Sequence, residues 1–230
     1  MREMYEGDEY ARKNPTWHEE DASWKANHVG RILTDNRVKF TTICEVGCGT
    51  GEILLNLEKQ FPDASLSGYE IAPYAFNLAK QKETVKTKFY LDDISNLQPM
   101  DYDILLAIDV IEHVEEYISF IKCLKSIAKY KIFHIPLDLS VQSIVRSWPI
   151  MKLRADVGHL HYFYKDSALA TLKSCGYKII SYRYTASRLE LPNQARSSNI
   201  MRLPRRLMFS LHSDLAVRVL GGYSIMVLAE

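Results

Sequence analysis

Across 230 residues the chain has only four cysteines, Cys44, Cys48, Cys123 and Cys175, and no two of them form a C-x-x-C pair. That scarcity excludes a disulfide framework and a thiolate metal site, and points to buried thiols in a reducing compartment. Long apolar runs are absent too. Nothing approaches the roughly 20 residues that cross a bilayer, and Met1 to Glu20 is polar and charged where a secretory signal would be apolar. A cytoplasmic protein is the expectation. Charge of either sign is not in excess: 29 Lys and Arg against 28 Asp and Glu leave a net charge of +1, so no global field argues for nucleic acid. Repeats and low-complexity tracts are missing. A chain of this length can bury one sizeable core, and an α/β domain is the ordinary outcome.

What is present is organised around Glu45-Val46-Gly47-Cys48-Gly49-Thr50-Gly51-Glu52. Thr41 to Val46 before it is short, β-branched and apolar, as a buried parallel strand is. After it Ile53, Leu54, Leu57 and Phe61 recur at helical spacing. The alternate glycines between them let backbone N–H groups approach a ligand closely. Strand, glycine turn and helix open a doubly wound nucleotide-binding sheet. The dinucleotide fingerprint is G-x-G-x-x-G, whereas here the spacing is G-x-G-x-G and Glu52 stands at the third glycine's place. Glu45 and Glu52 would both repel a pyrophosphate; a cationic or zwitterionic ligand with an amino group suits them better.

At this motif the chain resembles the class I S-adenosylmethionine-dependent methyltransferases, whose first motif is a strand ending in an acid followed by this glycine turn. The resemblance runs from about residue 41 to 187. It implies a doubly wound, mostly parallel seven-stranded α/β sheet with one antiparallel strand near the C-terminus, and S-adenosylmethionine as cofactor. Ser65 to Glu70 reads as the second strand, and the resemblance gives Glu70 the ribose hydroxyls, with Ile71 beside it. Lys88 to Leu91 is the third strand; of the acids after it, Asp93 is the better match for the adenine amino group and Asp92 the second, with Ile94 following. Tyr102 to Ile108 is an apolar fourth strand. It runs into Asp109-Val110-Ile111-Glu112-His113-Val114, similar to a run in quinone-biosynthesis methyltransferases, and then into a helix through Ala128. The cofactor set implied is Glu45, Gly47, Cys48, Gly49, Gly51, Glu70, Ile71, Asp92, Asp93, Ile94, Ile108 and Asp109.

If Asp109, Glu112 and His113 are helical they share one face and, with a later histidine, could hold a divalent cation; the commoner fate of such a histidine is a bond to backbone, and no metal is expected. Lys131 to Ile135 is a fifth strand, Leu139 to Leu153 has helical spacing, and Gly158-His159-Leu160-His161 resembles the stretch before the next helix, Lys165 to Cys175. His159 and His161 are the candidate bases, since neutral imidazole accepts a proton near pH 7; the alternative is that they only tie the loop to the backbone. Tyr177 to Thr185 and Tyr223 to Leu228 complete the strands.

In domain terms, residues 1–40 form an N-terminal helical cap with Trp24 and 41–187 the core, with a substrate-side insertion at 139–160. Residues 188–221 form a basic helical insertion and 222–230 the final strand. The insertion carries Arg188, Arg196, Arg202, Arg205, Arg206 and Arg218 against Glu190 and Asp214, with Leu203, Leu207, Leu211 and Leu215 at spacing four. Such a cap could hold a phosphate or carboxylate, or meet an anionic membrane face through residues 200–218. Trp24, His113, Asp138, Arg202 and Arg205 are the candidate acceptor-binding residues. The leading function is O-methylation of a small molecule, a nucleotide- or lipid-linked sugar; a phenolic or quinone-type acceptor, metal-assisted, is the alternative. A nicotinamide-dependent oxidoreductase or a cofactor-binding module without turnover are the readings from other classes. The missing proline-rich, aromatic-ended tetrapeptide after the fourth strand speaks against nucleic-acid bases.

Overall fold

The computed structural model describes residues 14, 16–17, 19–94, 102–191 and 202–230; expectations for residues 1–13, Arg196 and 200–201 lie outside them. The strands are β1 (Thr42–Val46), β2 (Ser65–Glu70), β3 (Thr87–Leu91), β4 (Tyr102–Ile108), β5 (Ala128–Pro136), β6 (Ile179–Thr185) and β7 (Ser224–Ala229). They form one seven-stranded sheet in the order β3-β2-β1-β4-β5-β7-β6. All pairings are parallel except those of β7 with β5 and β6. β7 is therefore the single antiparallel strand, as expected. The order reverses between β1 and β4, which opens a crevice outside their carboxyl ends.

Residues alternate across the sheet. Ile104, Leu106 and Ile108 of β4 pack under α1 (Ala22–Asp35) and α2 (Glu52–Gln60), together with Ile32, Leu33, Leu54 and Leu57. Leu105 and Ala107 face the other layer with Phe133, Ile135 and Val227, under α4 (Tyr117–Cys123) and α7 (Lys165–Ser174). Two buried faces explain why β4 reads as an unbroken apolar run, and each fully buried Leu or Ile contributes about 1.5–3 kcal/mol. α3 (Pro73–Lys80) begins with proline at its first turn, where no intrahelical N–H is missed.

Two expected helices differ. The helix foreseen through Ala128 is a 3₁₀ turn (Ile111–His113), α4, a second 3₁₀ turn (Leu124–Ser126) and then β5, which starts at Ala128. Pairing decides this: Ala128 stands opposite Tyr102 and extends the sheet. The run from Leu139 to Leu153 is two helices, α5 (Val141–Arg146) and α6 (Trp148–Asp156). They break at Ser147, whose φ is 58°, and a Ser140–Ser143 capping box starts α5. Neither helix buries a residue, so no core face holds the apolar period in one straight rod. After β6 come α8 (Ser187–Glu190), α9 (Arg202–Leu211) and α10 (Ser213–Leu220).

Candidate active site

The crevice at the carboxyl ends of β1, β2 and β4 is a cavity of about 960 Å³, within the size of small-molecule sites. Gly47, Gly49 and Gly51 turn the chain with φ of 65°, 55° and 81°, in the left-handed region that glycine enters without strain. A Cβ on Gly51 would stand 2.3 Å from Phe89 Cζ, and one on Gly47 2.9 Å from Val110 Cγ2. At Gly49 nothing lies within 4 Å of that position: the cradle is open on the cavity side. Cys48 lies in the same turn with a buried thiol that burial holds well above its ordinary value.

Three acids lie in strand ends around the turn. Glu45 is 1% exposed and its Oε2 accepts no hydrogen bond; burial pushes its carboxyl well up, with Lys25 pulling the other way. Glu70 accepts from the Gly49 N–H at Oε2 and from the Ile71 and Ala72 N–H groups at Oε1, each at 2.8 Å. Burial nevertheless raises its pKa against these three donors. Asp92 takes the Asp93 N–H at 2.8 Å, and Asp92, Asp93, Ile94 and Ile108 line the cavity. Glu52 pairs with Lys82 at 2.7 Å.

Asp109 adopts φ 53°, a conformation that costs a non-glycine residue about 1–3 kcal/mol and clusters at functional sites. It is not helical, so it does not share a face with Glu112 and His113. Its Oδ1 meets His134 Nδ1 at 2.6 Å, and its Oδ2 meets Lys25 Nζ at 3.0 Å. Burial alone would raise the Asp109 carboxyl, but His134 and Lys25 hold it well below the usual range. His134 reaches on to Thr185 Oγ1 at 2.8 Å. Sequence reasoning missed both Lys25 and His134. For Lys25 a signal existed: it falls on the same helical stripe as Ala22, Ala26 and Val29, four residues after Asp21, which it also meets at 3.6 Å. For His134, inside an apolar strand, there was none.

The other candidates fall into separate places. His113 lines the cavity, and His159 stands beside it, ring centroids 4.9 Å apart and nearly perpendicular. His159 Nδ1 donates to Asp138 Oδ2 at 2.7 Å, which fixes the tautomer and leaves Nε2 as the basic atom. His161 bonds through Nε2 to the Val114 and Glu115 carbonyls at 2.9 and 3.2 Å, so it ties its loop to the turn after β4. Trp24 is half-buried outside the cavity lining: its indole donates to Glu190 at 2.7 Å, an oxygen shared with His28, and its ring lies 6.3 Å from that of His134. Arg202 donates to the Leu189 carbonyl at 2.7 Å. Arg205 is buried, away from the cofactor turn.

Among the described residues one group of side chains could hold a cation. Glu112, His113 and His159 each offer an atom within 4.8 Å of the others. Glu112 is 0% exposed and neither carboxylate oxygen accepts a hydrogen bond. Burial first, then the Asp109 charge, push its pKa well up. The Asp138 carboxylate and the Gly158 carbonyl, on the Nδ1 atoms of His159 and His113, are the partners that orient imidazole ligands.

An amino-acid nucleoside fits the crevice. Its amino group suits the bare Glu45 oxygen, its ribose suits Glu70, and the open cradle at Gly49 admits close approach of its body. A sheet of this order, reversing between β1 and β4 with acids at the switch point, is a Rossmann-like, class I methyltransferase fold. Residues 17–182 match the model of a family described as methyltransferase domain, and the chain belongs to that family. It is 29% identical over 120 residues to a malonyl-[acyl-carrier protein] O-methyltransferase of Bacillus anthracis, covering 51% of this chain. Over 102 residues, 43% of this chain, it is 28% identical to one of Ilyobacter polytropus. Each match spans only 38% of the relative's own length. Magnesium protoporphyrin IX methyltransferase from Synechocystis PCC 6803, solved with bound SAH, shares the fold. Its TM-score is 0.61 at 18% identity, over 90% of this chain and 82% of that one.

Proposed function

We propose that the protein transfers a methyl group from S-adenosylmethionine to a hydroxyl of a small acceptor, a sugar carried on a nucleotide or lipid phosphate. The observation that carries the hydroxyl is the Asp138–His159 pair at 2.7 Å, with the His159 ring 4.9 Å from that of His113, which lines the cavity. A carboxylate acceptor arrives ionised and needs no base, whereas an alcohol must lose its proton as the bond to carbon forms. S-adenosylmethionine supplies an electrophilic methyl on a sulfonium centre. The chain's own part is to hold the acceptor oxygen in line with that carbon, to keep water out, and to receive the hydroxyl proton at His159 Nε2. Asp138 steadies the imidazolium that results. The arginines of the 188–221 insertion support an anionic carrier, and the exposed Leu203, Leu207 and Leu211 of α9 favour a lipid-linked one.

The test is release of S-adenosylhomocysteine with nucleotide-linked and lipid-linked sugars, a phenol panel and a malonyl thioester of acyl carrier protein, the last taken from the curated relatives. His159→Ala should slow turnover about 10²–10⁴-fold while calorimetric S-adenosylmethionine binding is kept. Equal rates in the variant, or turnover of the malonyl thioester alone, would overturn the reading. The Glu112, His113 and His159 group favours a second one, a phenolic or quinone-type acceptor whose hydroxyl is acidified by a divalent cation. Its mark would be turnover of phenols that chelation abolishes and magnesium or manganese restores.

A further inference from the structure

Beside α9 the structure holds a cationic cluster that no carboxylate among the described residues pairs with. Arg205 is 6% exposed. Its Nε and Nη1 have no hydrogen-bond partner, and Nη2 has only the Gln142 amide oxygen at 3.5 Å. Arg188 and Arg146, both exposed, lie close enough for their charges to act on it. Among the described residues none of the three forms an ion pair; Arg146 lies over the Trp148 ring. Tyr223, 3% exposed, points a hydroxyl without a partner and lies within the reach of Arg205's charge.

The backbone is shaped around this group. Gly221 and Gly222 have φ of 60° and 79°. A Cβ on Gly222 would stand 2.3 Å from Arg188 Cδ, and one on Gly221 2.5 Å from Ser140 Oγ. The double glycine thus lets Arg188 and the start of α5 close over the entry to β7. Taking a guanidinium out of water is costly, and each hydrogen bond left unmade adds to that cost. An anion bound there would offset both. Three cations and a phenol exceed what one carboxylate can use, but match a dianionic, tetrahedral oxyanion with more acceptor positions.

We propose that Arg205, Arg188, Arg146 and Tyr223 form a phosphate-binding site. Its place is informative. The Leu137 N–H donates to the Tyr223 carbonyl at 3.0 Å, and the next residue, Asp138, holds His159. Phosphate bound at Tyr223 is therefore anchored at the same sheet edge as the candidate base. This use of the site rests on the reading that the acceptor is a phosphate-linked sugar; the site itself does not.

Calorimetry and thermal melting of the whole protein with inorganic phosphate, pyrophosphate and malonate, at ionic strength matched with sodium chloride, test it. Phosphate or pyrophosphate should bind saturably and raise the melting temperature, with malonate at least tenfold weaker. Arg205→Met should lose phosphate affinity tenfold or more, keep S-adenosylmethionine binding, and melt no lower than wild type without phosphate, because a buried unpaired charge is gone. Arg188→Gln, on the surface and safe for folding, should weaken phosphate at least threefold. No saturable phosphate binding, equal binding of malonate, or an unchanged affinity in both variants overturns the site. Phosphate binding without turnover of any phosphate-linked sugar supports the site and overturns the acceptor reading.

Discussion

Glu112→Gln isolates the energetic consequence of a fully buried carboxyl whose oxygens accept no hydrogen bond. Burial and the nearby Asp109 charge push its folded pKa well above the ordinary carboxylate value. An acid raised in this way binds its proton more tightly folded than unfolded. Its contribution is therefore most favourable at low pH and is lost as pH rises above the unfolded value of about 4.3. While the folded protein keeps the proton and the unfolded chain has released it, stability falls by about 1.4 kcal/mol per pH unit. Glutamine has the same shape and no proton to lose, so that slope should vanish in the variant. Above pH 5 the variant should gain on wild type for as long as the folded carboxyl keeps its proton, by about 1.4 kcal/mol per pH unit, or roughly 3–6 °C in melting temperature per unit for a domain of this size. The amide keeps unpartnered polar atoms, which shifts the comparison by a constant and leaves the slope intact. Glu45 and Glu70 are also raised by burial but are present in both proteins and cancel. Urea unfolding at pH 5, 6 and 7 with EDTA, so that no cation replaces the proton, reads the difference directly. A difference that does not change with pH would refute the reasoning.

Gly51→Ala should cost about 2–5 kcal/mol, because a left-handed residue gains a side chain and that Cβ would overpack the core against Phe89 at 2.3 Å; a denaturant midpoint unchanged from wild type would count against it. Lys25→Met removes one of the two side chains paired with Asp109, and the loss should sit at the lower end of about 3–5 kcal/mol, since His134 remains. The Asp109 carboxyl is held low, so its stability is present above an unfolded value of about 3.9 and lost as pH falls through the folded one. Lys25→Met should move acid unfolding to higher pH, which a circular-dichroism titration follows.

The glycine turn, the strand-end acids and the apolar alternation were readable because they depend on residues close together in the chain. Positive φ at three glycines, an acid one step before the turn and an acid at the end of β2 are local requirements, and local sequence carries them. Two buried faces likewise leave a mark on β4 itself. Two features were not local. The period through Ala128 could not reveal where β5 begins, because the hydrogen bonds of β4 decide it. Ser147 could break its helix because neither α5 nor α6 buries a residue, and solvent imposes no period.

The same division runs through the site. Sequence could nominate Asp109, Glu112 and His113 as neighbours, but not that a left-handed Asp109 would face Lys25 and His134 while Glu112 and His113 turn toward His159. It could count arginines after residue 188, but not which one would be buried. By itself the sequence determined the class of fold and the wall of the crevice at the glycine turn, since both are written within a strand, a turn and a helix. Only the tertiary structure decided the companions of each charge. Lys25 with Asp109, Asp138 with His159 and Arg205 with Tyr223 are brought together by packing across the sheet edge, and no spacing along the chain encodes a contact between elements that meet only when the core closes.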